Sequence, residues 1–519
     1  MSTRLLSLIV AVALTSTKPT SAGNILIWSP TFGHSHVAFL GNIADVLTAD
    51  GHNVTILSPT IDPHVTTFGN RLPAHTIRIT PNETYWLQTD LNRPALWDAP
   101  PCDGMCMKWS DFDLLVEATY RACEAVLDDA ETLSKLHAMK FDLVYSESID
   151  NCAPGVFQVL DIPHIILVSA LGVMPRMYQV AGLLPLPSFV PMSLSPYSDE
   201  MTFWERMRNF NLMLDMTFSN INLERRFEAL FDARYPGIPP IRSIYFERTA
   251  LMMANVHEFA ETPRPTTNMI RYIGGIKLYE PKALTKELDD VLHERSTNVL
   301  FSMGSIALSK DMPMRVKTAF IETFASFPNV TFIWKYEDSD YSLFKHIPNI
   351  YPMAWTPQVD LLADRRLSLF ITHGGMNSVL ESMHYGKPMI VVPLFADQQL
   401  NAKSVERNGV GLILERHLLS KDTLTTAIRD VLCNRQISEK CSLLRALLDG
   451  RPSQYRQDIA KYTRIIIEYG KLEHLPLYSR NMTGIQYFCL DVIAFELSVL
   501  IVVTYAFWRL FKYILSKLR

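Results

Sequence analysis

Apolar runs of four to six residues alternate along this chain with stretches in which apolar positions recur every three or four residues. The first run, NILIW at 24–28, is followed by Ser-Pro and a helical pattern from Val37 to Ala49. Gly51 and His52 then turn the chain into a second run, VTIL, which completes a strand–helix–strand opening. FDLVYS at 141–146 and HIILVS at 164–169 extend the series, and a second series starts near Asn298 with NVLFSMGS. It continues through VTFIW, LSLFIT, MIVVPLF and VGLIL. Strands alternating with helices build parallel sheets covered on both faces. Two such series predict an α/β protein of two facing, doubly wound, Rossmann-like domains. A polar stretch around Pro281 separates them, giving a first domain at 23–275, a linker at 276–295 and a second domain at 296–470. Residues 181–214 interrupt the first series with four prolines and then an aromatic, Met-rich helical pattern. This insertion is expected to line an apolar channel, touch a bilayer or connect elements across the core.

The two ends read differently from the body. MSTRLLSLIVAVALTSTKPTSA has Arg4 ahead of an apolar stretch and a small residue at Ala22, the make-up of a signal peptide over 1–22. The apolar stretch is too short to span a hydrocarbon core of about 30 Å as a helix. Residues 487–507 are long enough for a transmembrane helix. Arg509, Lys512, Lys517 and Arg519 follow in a basic tail, 508–519, that the positive-inside rule assigns to the cytosol. The body then lies on the lumenal side of a single-pass type I protein. Glu496 falls deep in the span, where an ionised carboxylate costs on the order of 3 kcal/mol.

Composition removes some function classes. A 519-residue chain with a formal net charge of −4 has no electrostatic footprint for nucleic acid. The seven cysteines lack paired metal-ligand spacing, so no metal is expected; Cys102 and Cys106 are close enough to close a small disulfide loop. Sequons stand at Asn53, Asn82, Asn329 and Asn481. Asn82 is the most accessible by its polar surroundings, and Asn53 and Asn329 precede strand-like runs that are expected to hide them. Residues 29–38 contain no G-x-G-x-x-G, which argues against a dinucleotide-dependent oxidoreductase.

The chemistry concentrates in 355–401. After LSLFIT come His373, Gly374 and Gly375, then Asn377 and Ser378 opening a helical pattern that runs to Tyr385. A strand, a glycine turn and a helix N-terminus present unpaired N–H groups and the positive end of the helix dipole to an anion. MIVVPLF leads to Asp397 and Gln398, a carboxylate beside an amide where open α/β sheets bind ligands. Upstream, Trp355 offers a flat face and Gln358 a two-way hydrogen-bonding edge, both suited to a nucleobase. The series reads as base, diphosphate and hydroxyl-rich group, a nucleotide sugar. It closely resembles the donor signature of the UDP-glycosyltransferases, the UDP-glucuronosyltransferase family. The W-x-P-Q, H-G-G-x-N-S, E and D-Q elements stand in order and at that family's spacing, and the similarity extends over nearly the whole chain.

The resemblance implies a GT-B fold, with the acceptor in the first domain and the nucleotide in the second, and an endoplasmic reticulum membrane protein. It makes Glu381 the acid on the ribose hydroxyls and Ser305, in FSMGS, a second phosphate-side contact. Transfer to a hydroxyl needs a base, and a histidine held by a carboxylate suits that work. His34 and His36 both follow the first strand; Ser35-His36 matches the family's Ser-His step, which selects His36. The family's orienting Asp is replaced here by Glu147, with Asp150 as a substitute. Some glucuronic-acid-transferring members have an Arg eight residues before their P-R-P motif. In this chain that position, before Pro263-Arg264-Pro265, is Asn255, which favours UDP-glucose over UDP-glucuronic acid as donor. The resulting expectation is an inverting transfer of glucose or glucuronic acid from a UDP-sugar to a small lipophilic acceptor such as a phenol or steroid. It needs no cofactor beyond the donor and leaves self-association open. A catalytically silent UDP-sugar-binding membrane protein is the alternative.

Overall fold

A computed structural model describes residues 22–82, 96–97 and 101–518; the expected signal peptide, but for its last residue, lies outside them. The first sheet comprises β1 (Asn24–Trp28), β2 (Asn53–Pro59), β3 (His75–Ile79), β4 (Leu143–Glu147), β5 (Ile165–Ser169), β6 (Thr249–Ala254) and β7 (Ile270–Tyr272). Their order across it is β3-β2-β1-β4-β5-β6-β7. The second comprises β8 (Thr297–Ser302), β9 (Val330–Lys335), β10 (Ile350–Met353), β11 (Leu367–Thr372), β12 (Met389–Val391) and β13 (Gly411–Ile413), in the order β10-β9-β8-β11-β12-β13. The pairings flanking β1 and β8 are parallel. Both sheets thus run 3-2-1-4-5-6, the first with a seventh strand added at its end, and the chain reverses its direction of travel between β1 and β4 and again between β8 and β11. Ligands bind at such switch points in open α/β sheets.

The central strands are continuous apolar runs because both faces of each sheet are covered. In β1, Leu26 and Trp28 enter one core while Ile25 and Ile27 enter another on the opposite face, all at 1% exposure or less. Each such side chain contributes about 1.5–3 kcal/mol on full burial. The helix Arg451–Tyr469, within the 296–470 segment read as the second domain, packs back onto the first sheet. Its Ile459 and Ile466 join Ile25 and Ile27 in that core, and Thr463 Oγ1 lies 2.6 Å from the Tyr145 hydroxyl. Arg464 pairs with Asp50 at the end of the first helix. The chain therefore closes over both domains.

The 181–214 insertion is irregular until Thr202, whose hydroxyl and Glu205 form a capping box that starts a long helix, Phe203–Arg234. Leu183, Leu184 and Leu194 face the central cavity, while Phe203, Trp204 and Phe218 are exposed. At the C-terminus the helix Leu490–Leu518 has a mean hydropathy of 2.0 over its most apolar part and no residue buried in the body. It continues unbroken through Lys512 and Lys517, where the sequence suggested a separate tail. Its 29 residues rise about 44 Å, more than the hydrocarbon core requires.

Cys102 and Cys106 are joined as expected, and a second disulfide, Cys123–Cys152, ties the helix Trp109–Asp128 to the turn after β4. All four sequon asparagines are exposed. The expectation that Asn53 and Asn329 are hidden fails because Asn53 is the exposed first residue of β2 and Asn329 stands in the turn just before β9, ahead of the buried run.

Candidate active site

β11 ends at Thr372, and Gly374, at φ 85°, swings the chain into the helix Met376–Tyr385. Gly375 precedes that helix with no side-chain cap, so its first N–H groups remain available to an anion. His373 lies against this turn, its ring between two glycines. A Cβ on either Gly304 or Gly375 would come within 2.6 Å of Nε2. Burial, assisted by the Lys335 charge, pushes the His373 pKa down to about 4. At neutral pH it is a neutral imidazole with one N–H to donate.

Gln358, at the start of the helix Gln358–Ala363, reaches that first turn. Its Nε2 donates to Glu381 Oε2 at 2.6 Å and Ser378 Oγ at 3.1 Å. Glu381 is buried, and its Oε1 has no hydrogen-bond partner. Lys277 Nζ stands 3.6 Å from it, an ion-pair distance. An orphan carboxylate oxygen on a cavity wall fits a hydroxyl donor such as a ribose. Trp355 is 69% exposed and presents its ring to the cavity, with Lys335 Nζ 5.4 Å from its centroid. Ser305, just beyond β8, lines the same cavity.

Asp397 and Gln398 do not end a strand. β12 stops at Val391, Pro393 halts the ladder, and Asp397 begins the helix Gln398–Asn408. Asp397 Oδ2 accepts from Asn401 Nδ2 at 2.7 Å; burial raises its pKa against that bond and the charge of His36. Gln398 Oε1 accepts from the Leu394 and Phe395 N–H groups at 2.9 and 3.2 Å. What Gln398 has left for a sugar is its pair of amide donors.

Across the cavity, the helix His34–Ala49 follows β1 and Glu147 is the last residue of β4. Of the two histidines in that helix's first turn, His36 meets the carboxylate, its Nδ1 3.1 Å from Glu147 Oε1. Glu147 is fully buried; Oε1 also accepts from Ala170 N at 3.1 Å, and Oε2 has no partner. Burial alone would depress the His36 pKa. The charge and hydrogen bond of Glu147, with Asp397 behind them, outweigh it and hold the pKa above its ordinary value. Asp150 is occupied elsewhere: Oδ2 accepts from the Trp28 indole at 2.6 Å, and Oδ1 from Cys152 N and Ala153 N. The substitute partner is thereby committed to structure.

Asn255 is buried behind the cavity wall. Its Nδ2 donates to Ala170 O and to Asn377 Oδ1, both at 2.9 Å, joining the end of β6 to the glycine-turn helix of the other domain. An amide here bears on how the domains meet.

These groups surround one cavity of about 1330 Å³ between the switch points. A single small ligand occupies roughly 300–1,000 Å³, so there is room for two substrates. Sequence reasoning missed Lys277, Lys335 and Arg416. Lys335 donates to Gly304 O at 2.7 Å and Glu337 Oε1 at 2.8 Å, and Arg416 donates to Leu394 O beneath the Asp397 loop. Lys335 had a signal: it is the charge that ends the run VTFIWK, at the ligand end of a strand.

Residues 23–519 match the family model described as UDP-glucoronosyl and UDP-glucosyl transferase. The putative UDP-glucuronosyltransferase ugt-50 of Caenorhabditis elegans is 28% identical over 94% of each chain. UDP-glucuronosyltransferase 2B17 of Mus musculus is 27% identical over 92% of this chain and 90% of its own. A UDP-glucosyltransferase from Polygonum tinctorium superposes with a TM-score of 0.56 at 18% identity, over 85% of this chain and 98% of that one. With two parallel Rossmann-like sheets and a family match over nearly its whole length, the chain belongs to the UDP-glucoronosyl and UDP-glucosyl transferase family, and is a glycosyltransferase.

Proposed function

We propose that this protein transfers glucose or glucuronic acid from a UDP-sugar to a hydroxyl of a small lipophilic acceptor, with inversion at C1. The observation that carries the reading is the His36–Glu147 pair standing across one cavity from the uncapped helix after Gly375. His36 takes the acceptor proton as its oxygen bonds C1. The bond from C1 to the diphosphate breaks, and its electron pair leaves with UDP. The helix N–H groups, the neutral His373 donor and Ser305 receive that growing negative charge. Base and leaving group lie on opposite sides of the sugar, so one displacement inverts C1. Trp355 and Gln358 take the uracil, Glu381 the ribose hydroxyls, and Asp397 with Gln398 the sugar hydroxyls. No resident cofactor has a part in these steps. The helix Leu490–Leu518 anchors the body on the lumenal side of the endoplasmic reticulum membrane with its basic end in the cytosol, and two disulfides suit that oxidising side.

The test is transfer of label from UDP-glucose or UDP-glucuronic acid to a phenol and steroid panel, using membranes that contain this chain or its His36→Ala variant. Product from the parent alone is the expected result, and it names the donor. UDP binding without product from either donor would overturn transfer and leave a silent UDP-sugar-binding protein.

A further inference from the structure

The acceptor half of the cavity holds an ion pair that the transfer chemistry does not use. Arg176, in the first turn of the helix Pro175–Ala181 after β5, donates through Nη1 to Glu224 of the long helix and to Gln179 Oε1 at 2.9 Å. Its Nη2 donates to Asn151 Oδ1 at 3.0 Å. The guanidinium lies 5.1 Å over the Tyr245 ring, and the side chains of Arg176 and Glu224 are only 9% and 11% exposed. Both line the cavity, beside apolar neighbours such as Met174, Leu183 and Phe227. A buried ion pair is no better for stability than well-packed apolar side chains of the same volume. Its position is the informative feature. Arg176 follows β5, the neighbour of β4 in the sheet, and the pair is open to whatever fills the cavity that His36 also lines.

Resting on the proposed transfer, we infer that Arg176 and Glu224 form a polar floor that selects lipophilic acceptors bearing a second hydroxyl at the end remote from the one that reacts. A guanidinium has five N–H donors in a fixed fork, and a carboxylate has only acceptor sites. Side by side they are neutral overall. A hydroxyl, which donates and accepts at once, satisfies both. A carboxylate meets Glu224 as a like charge, and an ammonium meets Arg176 as one. The floor therefore reads a neutral, two-ended acceptor, its rigid body held by the apolar walls between the floor and His36.

The test is equilibrium binding to the purified full-length chain in detergent, saturated with UDP, so that affinity is read independently of turnover. Three probes share one ring system: a naphthol, the naphthalenediol with its second hydroxyl at the far end, and the hydroxynaphthoic acid with a carboxylate there. The parent should hold the diol about tenfold more tightly than the naphthol, the worth of one hydrogen bond to a charged group, and the acid least well. The double variant Arg176→Met, Glu224→Leu, which leaves no orphan charge, should lose the diol preference. Glu224→Gln leaves the guanidinium uncompensated and should gain about tenfold for the acid. Retained UDP binding reports the fold of each variant. Equal affinity for naphthol and diol in the parent overturns the inference, as does an unchanged affinity for the acid in Glu224→Gln. Transfer assayed on the same samples reports separately on the proposed function.

Discussion

The two domains share one strand order and use the same place in it, yet they offer opposite chemistry. Each presents a histidine beyond the carboxyl end of a central strand, His36 after β1 and His373 after β11. Burial lowers the pKa of both. At His36 a carboxylate 3.1 Å away reverses the effect; at His373 the charge of Lys335 adds to it. The proposed transfer uses this difference, with His36, held by Glu147, as the proton acceptor and the neutral His373 as a donor beside the uncapped helix. The fold supplies two similar crevices, and a single neighbouring charge sends the two histidines in opposite pKa directions.

Removing the base tests the first crevice most severely. His36→Ala should lower kcat by about a thousandfold, within the range for loss of a general base, while UDP binding reports that the second crevice is intact. Equal losses of both would make His36 structural. Glu147→Gln should cost about a hundredfold and move the pH profile. The base works when neutral, so kcat/KM rises with pH through the His36 pKa, which Glu147 holds above 6.5. Without that charge the acid limb should shift to lower pH. Stability runs the opposite way: the raised pKa adds stability that is complete below the unfolded value, is lost as pH rises through the folded one, and should be missing in Glu147→Gln. An acid limb that stays where it is would mean that His36 is not the titrating base.

Gly304→Ala strikes the second crevice. The new Cβ would lie 2.6 Å from His373 Nε2 at a residue with φ 78°, a conformation costly to any side chain. Displacing one preorganised donor should lower kcat by about tenfold to a hundredfold and leave the acid limb set by His36 unmoved. A shifted acid limb would show that the two histidines are coupled.

How much of this could be read beforehand depended on how local the cause was. β1, β4, β5, β8 and β11 were legible because burial on both faces makes each an unbroken apolar run. β3 and β7, HTIRI and IRY, lie at sheet edges, are short and carry polar residues, so no run marks them. The glycine turn and the helix behind it were legible because the cradle is contiguous in sequence. His36 and Glu147 are 111 residues apart, and nothing local says they touch; the family resemblance supplied that pairing. Cys123 and Cys152 escaped notice because disulfide connectivity is not written in spacing. Lys277 and the Arg176–Glu224 pair escaped because a charge in a loop or a helix looks solvated until the facing element is known.

Position 255 offers the finest test, because it lies between the two crevices. If it read the sugar, as its place before the P-R-P motif suggested, changing it should alter the balance between UDP-glucose and UDP-glucuronic acid. In the structure the Asn255 amide bonds Asn377, in the first turn of the uncapped helix proposed to hold the diphosphate, a part common to both donors. Asn255→Ala leaves the Asn377 oxygen without that donor, a loss of about 1 kcal/mol or somewhat more for a buried group. The expected result is a fall of roughly tenfold in kcat/KM for any UDP-sugar the parent uses, with the ratio between donors unchanged. A changed ratio would return position 255 to the sugar and reduce the join between the domains to simple packing.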